Sequence, residues 1–399
     1  MQDAPRRRGG EIAMKKRSIL ALIMVAVMAV SGCGGGKTES KEEGNAGTED
    51  KNGENQYQIA LITSFNGSID DRSFTQGSWE GIQKFGDENE KTYQYYRATD
   101  ESIDGYLNAI QMAVDNGAES VICPGYQFEE AIFRAQDQYP DVSFVLLDGT
   151  PHNNDYSEYK TAENTYSCLF AEQQAGFLAG YAMVMDGQKN LGFMGGMKMP
   201  AVVRFGYGFA QGADYAAQKQ GLSSGDISMK FGYTGNFDSS PENQTKAASW
   251  YRDGVTTIFA CGGNIVYSIT AAAEAADGEA QVIGVDVDQS GESETVVTSA
   301  MKMLSTAIYD ALTEKEAGNF PGGENAVLGI TENSVGLPDD FTRFASFSKE
   351  DYEEIYQELL EDKDGLLSGM LSDTDENGQE IALDQVQAEL EIVEIQEIE

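Results

Sequence analysis

Residues 57–85 read YQIALITSFNGSIDDRSFTQGSWEGIQKF, an apolar strand that runs into a polar turn and then into a helix. Ile59, Leu61 and Ile62 are expected in a buried parallel strand. Phe65 to Ser73 breaks the apolar run with Asn66-Gly67, Ser68, Asp70 and Asp71, after which Ser73, Phe74, Trp79, Ile82 and Phe85 recur at helical spacing. In an open α/β sheet the turn of such a unit lies at the carboxyl edge, where these sheets bind ligands. Phe74, at the opening of the helix, is either a core aromatic or a side chain that faces a bound molecule. Asp71 is expected mainly to cap the helix and complement its dipole.

The same order repeats downstream. Helix 102–116, strand 120–123, helix 129–139 and strand 143–147 follow, the last ending at Asp148. A loop rich in Asn, Asp and Tyr (149–164) leads to a long helix, 171–185. The second half runs strand 190–194, helix 203–220, strand 228–233, helix 241–253, strand 257–260, helix 265–276 and strand 281–285. A helix over 298–318 would carry Lys302 in its first turn. Segment 327–337 reads as a final strand and turn, 349–367 as an acidic helix. Alternating strands and helices indicate parallel α/β architecture, and the comparable halves 57–165 and 166–288 indicate two lobes with a cleft between them. The strongly acidic 371–399 reads as a weakly ordered tail or an edge element.

With 41% apolar and 10% aromatic residues among 399, the chain can build sizeable cores. Its 66 acidic against 27 basic residues give a formal charge of -39, which disfavours nucleic acid and anionic membrane surfaces as partners. The N-terminus points to a compartment. Lys15, Lys16 and Arg17 precede Ile19 to Val30, an apolar run of 12 residues that is too short for a permanent membrane span. It ends in Val30-Ser31-Gly32-Cys33, similar to a bacterial lipobox, so residues 1–32 are expected to be a signal peptide and Cys33 the lipidated residue. Met14 is an alternative start. Residues 33–56 contain no large apolar side chain and are expected to form a flexible tether.

Catalytic equipment is sparse. His152 is the only histidine, which leaves no histidine triad and no cluster of histidine metal ligands. Phosphate-cradling loops, GxSxG elbows and paired CxxC motifs are missing, so no enzyme, metal or cofactor is expected. Cys123, Cys168 and Cys261 remain once Cys33 is lipidated; Cys123 and Cys261 fall at apolar strand ends, as free buried thiols do. What does gather at element ends is Phe74, Phe237, Asp148, Asp286, Gly262 and Lys302. Aromatic faces stack a planar ligand, carboxylates accept from hydroxyls, and glycine admits close backbone approach. Lys302 and Asp286 could equally form a structural ion pair.

DDRSF (70–74), GSWEG (77–81), YPDVSFVLLDG (139–149), AEQQAGFLAGYAM (171–183), FGYGFAQGA (205–213), GNFDS (235–239), VIGVDVDQ (282–289) and TSAMK (298–302) resemble, in this order, the basic membrane protein family. Its members are lipoproteins similar to the purine-nucleoside receptors of ABC transporters. The resemblance implies a type I periplasmic-binding fold of two Rossmann-like lobes joined by three crossing strands. With the halves read above, the expected domains are 57–165 and about 289–325 for lobe 1, 166–288 and about 326–370 for lobe 2, and 371–399 for an acidic tail. The resemblance implies that Phe74 and Phe237 sandwich a base, that Asp286 and Lys302 bind ribose hydroxyls, that Asp148 meets the base or the pocket wall, and that Gly262 offers backbone. Ser64 stands where the family has aspartate and Thr75 where it has asparagine, which leaves base selectivity open. The expected protein is a monomer that is lipid-anchored on the outer face of the cell membrane and serves a permease and its ATPase subunits. A receptor for sugar or another small polar ligand, or a ligand sensor, is the alternative.

Overall fold

The computed structural model describes residues 56–276 and 278–398. In chain order it comprises β1 (Ile59–Thr63), α1 (Phe74–Asn89), β2 (Tyr93–Arg97), α2 (Ile103–Asp115), β3 (Ser120–Pro124), α3 (Glu129–Gln138), β4 (Ser143–Leu147) and β5 (Thr165–Phe170). Next come α4 (Glu172–Met185), β6 (Asn190–Gly195), α5 (Pro200–Lys219), β7 (Ile227–Tyr233), α6 (Pro241–Arg252), β8 (Thr257–Cys261), α7 (Ile265–Glu274), β9 (Gln281–Asp286) and β10 (Val296–Lys302). The chain closes with α8 (Leu304–Glu316), β11 (Asn325–Leu328), β12 (Val335–Gly336), α9 (Lys349–Leu360), α10 (Leu383–Glu389) and β13 (Val393–Ile398).

The strands form two sheets, ordered β11-β5-β4-β3-β1-β2 and β12-β10-β9-β8-β6-β7-β13. All pairings are parallel except β10 with β12. The central run of one sheet repeats that of the other: β1 to β5 correspond to β6 to β10. Each sheet therefore has a switch point, between β1 and β3 in the first and between β6 and β8 in the second, where an open sheet leaves a crevice at its carboxyl edge. Central strands are buried on both faces. Ile59 and Leu61 enter one apolar cluster while Ala60 and Ile62 enter another, the period of 2 that sandwiches a strand between helix layers.

Local signals set the helix starts. Asp71 accepts the N–H groups of Ser73, Thr75 and Gln76, each at 2.9 Å, and so satisfies the first turn of α1, as its sequence position suggests. Ser102 caps α2 through the Gly105 N–H at 3.0 Å, and Ser240 caps α6 just before Pro241.

The chain crosses between the sheets three times: after β5, between β10 and α8, and between β11 and β12. These crossings redraw the expected boundaries. β5 completes the first sheet, so the first crossing falls at residue 171 and not 165. The largest correction concerns TSAMK. It is the end of strand β10 in the second sheet, not the start of a helix, and Lys302 is the last residue of that strand. Two adjacent valines and a buried run fit the interior of a parallel sheet, and the helix begins only at Leu304. Residues 371–398 take the second of their two expected forms, an edge element and not a loose tail: α10 precedes β13, which forms the edge of the second sheet beside β7. Their apolar residues Ile392, Val393 and Ile395 pack against the core.

Helices α4 and α5 cross with backbones in contact. A Cβ on Gly208 or Gly212 would collide with the carbonyls of Gln173 and Phe177, and one on Gly176 or Gly180 with those of Phe205 and Phe209. Only glycine permits this approach, which brings the first residue of α4, Glu172, against Arg204 in the second turn of α5. The three described cysteines are free and buried; Cys33 and the expected signal peptide lie outside the described residues.

Candidate ligand-binding site

The structural repeat places two aspartates at equivalent strand ends. Asp148 follows β4 and Asp286 ends β9, and both adopt left-handed backbone, φ 53° and 67°. For a residue other than glycine this costs on the order of 1–3 kcal/mol, and such strain concentrates at functional sites. Lys302, at the end of the neighbouring β10, reaches between them. Its Nζ lies 2.5 Å from Asp148 Oδ2 and 3.8 Å from Asp286 Oδ1. Asp148 thus takes the place expected of Asp286 as the closest partner of Lys302, and the pair joins one sheet to the other.

A third carboxylate completes the cluster. Glu172 Oε1 lies 2.9 Å from Lys302 Nζ but off the hydrogen-bonding direction, while its Oε2 accepts from Arg204 Nε at 2.5 Å. Arg204 in turn meets Asp373 Oδ2 at 3.2 Å through Nη1. Three rings surround the ammonium group: the centres of Phe74, Phe205 and Phe170 lie 4.9, 5.4 and 5.5 Å from Nζ. Burial pushes the Asp148 carboxyl up to about 6; Lys302 opposes this, while Glu172 and Asp286 add to it. Asp286 is also raised, again chiefly by burial. Burial works against Glu172 as well, but Arg204 and Lys302 together hold it below its ordinary value. Lys302 is held well above its ordinary value because its carboxylates outweigh its desolvation. The cluster is rich in acceptors, and Asp148 Oδ1 is buried without a hydrogen-bond partner.

Phe237 occupies the switch point of the second sheet. A Cβ on Gly262 would come within 2.7 Å of its ring, and one on Gly196 would enter it, so the ring lies over the ends of β8 and β6. Adjacent strands are ~5 Å apart, which sets this ring roughly one to two strand spacings from Asp286. Gly262 therefore does more than expose backbone: it makes room for the aromatic. Ser64 directly follows β1 at the switch point of the first sheet, and the Thr75 N–H is taken by Asp71. Two further links join the halves: Ser73 Oγ donates to Asp286 Oδ2 at 2.7 Å, and Gln289 Nε2 donates to the Arg72 carbonyl at 2.9 Å.

Phe74, Asp148, Asp286 and Lys302 are thus gathered around one ammonium group, with Phe237 and Gly262 forming a separate corner of the same sheet edge. Sequence reasoning missed Glu172, Arg204, Ser73 and Gln289. The signal for the first two was legible: Glu172 is the only charge in AEQQAGFLAGYAM, and Arg204 the only one in 200–213. A lone charge on an apolar helix requires a buried partner. Among the described residues no group of His, Cys, Asp or Glu is placed to hold a metal ion, and no helix is long and apolar enough to cross a membrane.

Two linked, repeated sheets whose carboxyl edges converge on polar and aromatic groups define a type I periplasmic-binding receptor fold. The ABC transporter solute-binding protein of Aeropyrum pernix K1 shares it, with a TM-score of 0.64 at 20% identity over 80% of this chain and 94% of that one. By sequence the chain belongs to the Bmp family, described as PnrA-like ABC transporter substrate-binding proteins, whose family model matches residues 58–366. It is 28% identical to the ABC transporter nucleoside-binding protein BmpA of Lactococcus lactis subsp. cremoris, over 81% of this chain and 92% of that one. It is 27% identical to basic membrane protein D of Borreliella burgdorferi, over 90% of this chain and 95% of that one.

Proposed function

We propose that this substrate-binding protein captures a nucleoside between its two halves and delivers it, without catalysis, to the permease and ATPase subunits of an ABC transporter. In this reading a monomer is anchored through Cys33 on the outer face of the cell membrane. Phe237 and Phe74 stack the base. Asp286, Asp148 and Lys302 receive the sugar hydroxyls, while Gly262, Ser64 and Thr75 line the site. The observation that carries the reading is the surplus of buried acceptors: three carboxylates surround Lys302, and Asp148 Oδ1 lacks a donor. A ligand that brings hydroxyl donors relieves that deficit, and an aromatic beside it suits a flat base. The nucleoside-binding name of the Lactococcus relative points the same way.

Calorimetry with inosine and 2',3'-dideoxyinosine tests the assignment. The wild type should bind inosine tighter by tenfold or more, roughly, because a buried acceptor loses its donors in the dideoxy compound. Asp286→Ala should erase that preference, whereas Phe237→Ala should weaken both ligands by about 1–3 kcal/mol. Equal binding of the two by the wild type refutes the ribose assignment. Tighter binding of free hexoses than of any nucleoside would make the protein a sugar receptor of the same fold.

A further inference from the structure

The helix α5 is mostly buried, yet Arg204, Tyr207, Gln211 and Asp214 recur along it every three or four residues. All four hold the C-terminal segment. Tyr207 OH donates to the Ile381 carbonyl at 2.9 Å. Gln211 makes two bonds with the Leu371 backbone, at 3.0 and 2.7 Å. Asp214 accepts the N–H groups of Glu391, Ile392 and Val393 at 3.2, 2.7 and 2.9 Å, after which β13 joins β7. Residues 371–398 thus form a strap along α5, and they lie beyond 58–366, the extent of the family match. Three of the four anchors only fasten the strap. The fourth, Arg204, also contacts the charge cluster.

A guanidinium group presents donors in one rigid plane and readily grips a single carboxylate with two of them. Arg204 does not: Nε serves Glu172 Oε2 and Nη1 serves Asp373. That division leaves Glu172 Oε1 for Lys302. Without Asp373, Arg204 keeps Glu172 as its one carboxylate partner in this contact set and can swing about it, which carries Glu172 Oε1 away from Lys302, whose hydrogen bond to Asp148 is already in place. We propose that Asp373, supplied by the C-terminal strap, is a positioning residue for the ligand site: it fixes Arg204, and through it the Glu172 carboxylate beside the ammonium group of Lys302. The consequence for ligand binding rests on the nucleoside reading above; the consequence for the cluster does not.

Two measurements on the full chain separate these. The first needs no ligand: melting temperature against pH for wild type, Asp373→Asn and Asp373→Glu. Asp148 is faced by Lys302 from β10, Glu172 from α4, Asp286 from β9, Arg204 from α5 and the thiol of Cys168 from β5. Withdrawal of Glu172 from the cluster removes a carboxylate whose charge disfavours ionised Asp148. The inflection near its titration should therefore move down by about half a pH unit or more in Asp373→Asn and return in Asp373→Glu. A strap that merely fastens would lower the melting temperature evenly at every pH, and an inflection that stays in place overturns the proposal. The second measurement is inosine affinity. Asp373→Asn should weaken it about 3- to 30-fold, and Glu380→Gln, which removes only the strap's exposed pair with Lys198, should leave it within about twofold. Equal losses in the two variants would also overturn the proposal. A wild type that binds no inosine would refute the nucleoside reading, with the pH profile still deciding the role of Asp373.

Discussion

Asp148 and Asp286 show what a single position can hold: at equivalent strand ends each has a strained backbone, and Asp286 and the Oδ1 atom of Asp148 are buried. Their importance was readable because aspartate is an odd terminus for an apolar run such as SFVLL or QVIGV. Their partners were not, since pairing depends on which strand ends lie side by side, and that follows from sheet order and not from spacing in the chain. The charge balance gives a pH dependence with a definite sign. The Asp148 carboxyl is pushed up to about 6 from 3.8. The folded state therefore holds its proton more tightly than the unfolded chain, so the associated stability is complete below about pH 4 and is lost as pH rises through about 6. Glu172, held below 4.5, acts oppositely: its contribution is present above that value and lost as pH falls. Asp148→Asn should accordingly flatten the rise in melting temperature between about pH 6 and pH 4. The part due to Asp286, which is raised too, should remain. Calorimetric scans of the ligand-free protein across that range check it, and an unchanged slope would remove Asp148 from the cluster's titration.

At the scale of elements, most strands and helices were legible from apolar periodicity, and the failures share a cause. β2 is YQYYR, with one fully buried residue, and so offers no apolar run to read. β10 was mistaken for a helix because Ala300, Met301 and Leu304 fall at helical spacing as well as in an apolar stretch; pairing with β9 decides the matter, and pairing is a tertiary fact. The α4–α5 crossing was visible as the glycines of AGFLAG and GYGFAQG without its meaning being so. The meaning is positional: backbone contact there sets the distance from Glu172 to Arg204. Gly212→Ala should therefore destabilise the fold by about 2–3 kcal/mol, since a methyl group cannot share space with the Phe177 carbonyl and the helices must separate. Gly291→Ala, where an added Cβ meets nothing within 4 Å, should be nearly neutral. Urea denaturation of both variants compares them, and equal costs would mean that the crossing tolerates expansion.

At the scale of the whole molecule, the two-halved plan was legible because the strand-turn-helix unit of 57–85 recurs, whereas the paths between halves were not: a crossing is short and carries no periodicity. The same scale governs where the protein sits. Processing after Gly32 would remove six basic and two acidic side chains and leave 21 against 64, a formal charge of -43. Such a surface would be repelled by anionic lipid, so in the proposed reading the hold on the membrane comes from acyl chains on Cys33, of which more than one is needed for a stable anchor. Cys33→Ser should therefore abolish incorporation of labelled fatty acid and leave the protein either released in soluble form or retained as an unprocessed precursor. A wild-type protein that takes up no fatty acid, or a Cys33→Ser protein that stays in the membrane fraction at mature length, would show that something other than this thiol holds the receptor at the surface.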